Sequence, residues 1–246
     1  MNLLDIVVKI TADSSGVDDG MDSAKKKVSS WKDNVGKAAK TAAKGFAVAA
    51  AATTAVIAGI SKVIDATEEY RVAQGKLNTA FETAGYSAET AQEAYTGLYK
   101  ILGDTDTATE TAQLMAKLAR NQEDFATWTN IAAGVNGTFG DSLPINGLIE
   151  AANETAKVGQ VTGVLADALN WAGISEDDFN ESLANCSGEA ERNSLIMSTL
   201  SGTYSDAADS FYKNNEQVIK SRENQVKLQE STAKLGEKFQ ELKNNF

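Results

Sequence analysis

Leu4, Ile6, Val8 and Ile10 fall on one face at period two, with Asp5, Val7 and Lys9 between them, the pattern of a β-strand with one buried face. No later stretch repeats that pattern with comparable strength. The strand's backbone groups therefore need a partner, either a copy of itself, a weaker later strand or another protein, unless the segment is a short edge piece packed on a helix. Self-association is the preferred reading.

From residue 65 the pattern changes to that of amphipathic helices. One is predicted from about Ile64 to Ala84, with Tyr70, Leu77 and Phe81 at helical spacing. A second, capped by Ser87, runs to about Leu102 with Tyr95, Leu98 and Tyr99 on one side. A third opens at Asp106 and carries Leu114, Met115 and Leu118, and a fourth spans Glu123 to Val135 with Phe125, Trp128 and Ile131. Residues 136–144 hold two glycines and the only proline, Pro144, and read as the clearest internal loop. Further helices are predicted near 145–157, 161–171, 176–185, 188–201 and 205–213, with Ser175 as an N-cap before the acidic turn Glu176, Asp177 and Asp178. From Asn215 to Phe246 the rows Ile219, Val226, Ala233 and Leu228, Leu235, Leu242 predict a long helix in need of partner helices, and no C-cap signal closes it.

Between the strand and these helices lie two unlike segments. Residues 23–44 carry Lys25, Lys26, Lys27, Lys32, Lys37, Lys40 and Lys44 against Asp33 alone, a net charge of +6. Residues 45–60, GFAVAAAATTAVIAGI, then hold no charge over sixteen residues. As a helix that run covers roughly 24 Å, short of a ~30 Å hydrocarbon core, and its Ala-rich composition makes insertion marginal. Counting Val63 and Ile64, with Lys62 snorkelling, lengthens it to a plausible span. Ala47, Ala51, Ala55 and Gly59 form a small-residue ridge suited to close helix packing in lipid or in a bundle, and Val56, Ile57 and Ile60 supply its bulk. A membrane-competent helix and a buried bundle helix both fit. The basic stretch around Trp31 has three readings: anionic lipid headgroups, nucleic-acid phosphates, or a solvated face. Its adjacency to the apolar run favours lipid.

Composition sharpens the class. The 246 residues are 42% hydrophobic but only 7% aromatic, with one proline, which favours helices. The expected fold is all-α: a multi-helix bundle with an Ala/Gly-rich apolar helix, one short N-terminal β-strand and a long C-terminal helix. Four parts are expected, namely 1–22 (strand and turn), 23–64 (basic and apolar helices), 65–213 (helical globular domain) and 214–246 (coiled-coil-like helix). The net charge of −11 is bipartite, because residues 1–64 hold nine lysines against six aspartates while the remainder holds 14 bases against 28 acids. Anionic partners are therefore expected only near the N-terminus.

The absence of histidine excludes Ser-His-Asp and Cys-His catalysis, HExxH zinc sites and any His-ligated metal. The single Cys186 has no disulfide partner within the chain and reads as a half-buried helix end. Asp104 to Glu110 approximates a calcium loop, but Thr109 stands where the turn glycine belongs and Met115 where a bidentate Glu belongs, so helix capping is the better reading. No phosphate-binding glycine motif is present. Carboxylate chemistry remains compatible with the composition, yet nothing marks a pair; a non-enzymatic protein without catalytic residues, metal, cofactor or small-molecule substrate is expected.

The order of these blocks resembles the N-terminal part of a phage tail tape measure protein. A short strand leads into Ile10-Thr11-Ala12-Asp13-Ser14-Ser15-Gly16, then Asp19-Gly20-Met21 and Ala24, a basic helix, an Ala/Gly segment and a multi-helix domain. That domain begins near Ala66-Thr67-Glu68-Glu69-Tyr70 and includes Gly159-Gln160-Val161-Thr162 to Ala172-Gly173-Ile174-Ser175. The resemblance spans nearly the whole chain, with the signal in the order of motifs. It implies a structural protein in the virion's tail lumen, present in several copies and in the host cytoplasm during assembly. Tail tube, tail tip and assembly chaperone proteins are its implied partners, and its apolar segment is implied to aid genome passage through the host membrane. Tape measure proteins are usually much longer, so this chain is expected to be a fragment, a truncated remnant or a short member. The alternative is a self-associating membrane-active protein, such as a pore former or toxin, on the strength of the same polybasic and apolar arrangement.

Overall fold

A computed structural model of the chain describes residues 67–244, with the side chains of Phe239 and of residues beyond Gln240 left aside. The strand at 4–10, the basic patch and the apolar run 45–60 lie outside the described residues, as does the side chain of Leu242. Among the described residues the fold is all-α, and there is no strand. We number the helices α1 (67–83), α2 (Ala88–Leu102), α3 (Thr105–Leu118), α4 (Gln122–Phe139), α5 (Ile145–Val158), α6 (Val164–Trp171), α7 (Glu176–Ala184), α8 (Glu189–Asn214) and α9 (Glu216–Asn244).

Several starts follow from caps the sequence announces. The Ser87 side chain accepts the Thr90 amide, Asp104 that of Thr107, Asn121 that of Asp124 and Ser175 that of Asp178, each meeting one of the four unpaired amides of a helix start. Because Asp104 is the cap, α3 begins at Thr105 rather than at Asp106.

The chain divides into two compact units. In the unit of residues 73–223 the most extensive contact is between α4 and α8, with α2 on α3 and α4, α5 on α3 and α8, and α6 on α5 and α7. Leu77, Phe81, Tyr95, Leu98, Met115, Trp128, Ile131, Leu148 and Leu165 are fully buried in its core. Leu114 is only half-buried.

Three places differ from the sequence expectation, each at a glycine. Helix α6 starts at Val164 rather than near 161, after Gly163 at a φ of +54°. Helix α4 runs on to Phe139 and a single 3-10 turn at Gly140–Ser142, so the expected loop shrinks. Gly137 serves packing there, since a β-carbon would stand 3.1 Å from the Phe211 ring. Helix α8 passes unbroken through 201–205, because Gly202 faces open space while Leu200 and Tyr204 on either side are buried. The cost of one exposed helical glycine, about 1 kcal/mol, is smaller than the burial gained by continuing the helix.

The second unit comprises residues 1–72 and 224–246. In its described portion Tyr70, Val226, Ala233 and Leu235 are buried, and Arg71 Nη1 donates to Gln240 Oε1 at 2.8 Å. A β-carbon on Gly236 would come 2.5 Å from Thr67 Oγ1, so the glycine that weakens α9 alone lets it approach residue 67 closely. Among the described residues no helix is long and apolar enough to cross a membrane.

Candidate functional site

The residues singled out from the sequence, Lys25–Lys44 and Ala47–Ile60, lie outside the described residues. Within them, the chemistry-bearing groups of 73–223 collect around α8.

Each helix C-terminus leaves four carbonyls without intrahelical partners, and α8 supplies donors to three such ends. Arg192 donates from Nε to the Ala156 carbonyl at 2.6 Å and from Nη2 to that of Lys157 at 3.1 Å, closing α5. Asn193 Nδ2 donates to the Leu118 carbonyl at 2.6 Å, closing α3. The Tyr204 hydroxyl donates to the Ala168 carbonyl at 2.7 Å, closing α6, and burial pushes that hydroxyl's pKa up. Arg222, at the start of α9, does the same for α2 through Ile101 at 2.6 Å and Lys100 at 3.1 Å. Its guanidinium lies over Gly103, whose φ of +75° and whose missing β-carbon (Arg222 Cζ would be 2.6 Å away) both require glycine. Positive groups at helix C-termini also meet the negative end of the macrodipole.

The α3–α4 turn is held from several sides. The Tyr86 hydroxyl donates to the Ala119 carbonyl at 2.8 Å, and the Arg120 amide donates to Asp124 Oδ2 at 2.9 Å. Arg120 Nη1 reaches the Ala190 carbonyl at 2.6 Å. Phe125 stacks on Phe81 at 5.1 Å and meets the Tyr86 ring edge-on at 4.9 Å. Burial, then the Asp124 charge, raises the Tyr86 pKa, against a smaller lowering by Arg120.

Arg120, Arg192 and Arg222 spend their donors on these carbonyls. Residues 73–223 hold nine bases against 22 acids, a net of −13. Between 121 and 212 only Lys157 and Arg192 oppose 14 acids. Arg192 is engaged as described, and Lys157 lies 3.5 Å from Glu154. No group among the described residues has the three or more His, Cys, Asp or Glu side chains that a metal ion needs. Asp104 acts as a cap, and Cys186 is a half-buried thiol donating to the Ser182 carbonyl.

One feature of this acidic stretch faces solvent. Trp171, the last residue of α6, is 53% exposed and lies 4.3 Å from the Phe139 ring at the end of α4. Phe139 in turn meets Tyr204 edge-on at 5.9 Å. Sequence reading passed over this cluster because residues 139, 171 and 204 sit on three helices. The near-absence of bases from 121 to 212 was the available signal.

Set against protein-family models, curated proteins and solved structures, the chain matches none of them.

Proposed function

We propose that the chain is a structural component of a phage tail, the N-terminal part of a tape measure protein, acting in tail assembly and length determination. The order of its segments carries this reading: a strand and turn, a +6 basic stretch at 23–44, an uncharged run at 45–60, then an acidic helical region. The 73–223 unit supports it as a scaffold, with helix ends tied by side chains from distant helices and a surface charge that disfavours DNA phosphates. Tail tube, tip and chaperone proteins are the partners this role requires, and the apolar run is the part that would enter the host membrane.

The test is to purify tail particles of the encoding phage and probe them for this chain, then assay phage carrying Ala51→Asp or Ile57→Asp. The chain is expected in the particles, and each charge in the apolar run is expected to lower infectivity while particles still assemble. Absence from particles overturns the tail role; full infectivity of both variants overturns the membrane role. The uncharged run beside seven lysines favours one second reading, a self-associating membrane-active protein. Leakage of anionic liposomes caused by the purified chain alone would select it.

A further inference from the structure

The Phe139–Trp171 pair stands in the most base-poor stretch of the chain, and the two properties together select a partner. Trp171 rests on Phe139 at 4.3 Å with more than half of its surface open. Asp167 lies one turn earlier on the same face of α6 and Asp141 follows two residues beyond Phe139, both exposed. Between 121 and 212 only Lys157 and Arg192 oppose 14 acids, so the field over this stretch is strongly negative. A phosphate-bearing or other anionic partner is repelled by such a field. A purely apolar partner would bury little, because one aromatic pair is far smaller than the patches such partners cover. A cation is favoured twice, by the surrounding carboxylates and by the indole face, the strongest cation–π acceptor among side chains.

We propose that this surface docks a lysine- or arginine-rich segment of a partner protein, with one cationic side chain over the open face of Trp171 and its neighbours facing Asp141 and Asp167. The assignment stands independently of the tail role.

The experiment titrates a fluorescently labelled decalysine peptide into the full chain and follows anisotropy, with decaglutamine as the uncharged control. Wild type is expected to bind decalysine and not decaglutamine, with affinity falling as salt rises. Trp171→Ala is expected to weaken binding about fivefold and Trp171→Phe less, as the quadrupoles of the rings order them. Glu89→Gln removes one exposed carboxylate from α2, outside the acidic stretch, and is expected to change affinity less than about twofold. The Trp171 indole resonance, assigned by its loss in Trp171→Phe, is expected to shift on titration while that of buried Trp128 stays in place. Absence of wild-type binding, equal binding of decaglutamine, or equal losses in Trp171→Ala and Glu89→Gln would each overturn the proposal. Circular dichroism of the variants separates lost binding from lost fold.

Discussion

Gly134 and Gly202 show how one residue type means opposite things at two places. A β-carbon at Gly134 would overlap the Tyr204 carbonyl oxygen and lie 2.8 Å from Tyr204 Cβ, at the crossing of α4 and α8. Backbone on the far side cannot swing away, so Gly134→Ala is expected to destabilise the protein by about 1–3 kcal/mol through overpacking. Gly202 is exposed, in helical conformation and open on all sides, so Gly202→Ala is expected to stabilise by about 0.5–1 kcal/mol. Urea unfolding of both variants checks the pair: midpoints that move in the same direction would refute it. Neither role was legible in the sequence, where both glycines look like helix breakers.

The helices depend on one another through their C-termini. Asn193→Ala leaves the Leu118 carbonyl without its donor and is expected to cost about 1–3 kcal/mol. Hydrogen exchange is expected to rise at the end of α3 more than at its start, whereas uniform change would deny the capping role. At exposed helix starts and turns, hydrogen bonding lowers three carboxyl pKa values: Asp104 by the Thr107 hydroxyl and then its amide, Glu191 by the Ser187 hydroxyl and then its amide, Glu216 by the Lys220 ammonium. A group with a depressed folded value binds its proton more weakly in the fold than unfolded. Its contribution is therefore present at neutral pH and lost as pH falls through the carboxyl range. Unfolding free energy measured from pH 7 downwards is expected to fall, and to fall less steeply in the combined Asp104→Asn, Glu191→Gln, Glu216→Gln variant. An identical slope would remove these three groups as its source. The caps themselves were legible, because Ser87 and Ser175 act within three residues. The clasps from Arg192, Asn193, Tyr204 and Arg222 were not, since each bridges at least 35 residues.

For the whole molecule, charge separates the basic N-terminal stretch from the acidic helical unit, and each proposed role follows from one side of that division. The apolar run and its lysines carry the proposed membrane step, and the acidic stretch from 121 to 212 carries the proposed docking of a cationic segment. The sequence by itself determined the all-α class of the described residues, most helix starts, the core positions from Tyr95 to Ile131 apart from Leu114, and the charge asymmetry, because periodicity, capping and charge count depend on residues close along the chain. Tertiary structure alone decided that α8 is one helix through Gly202, that Gly134 and Gly137 admit a neighbouring helix, and that four carbonyl ends are closed by distant side chains. It also decided that Phe139, Trp171 and Tyr204 meet. Those outcomes depend on which surfaces face each other across the core, and no local pattern encodes a contact between residues so far apart in the chain.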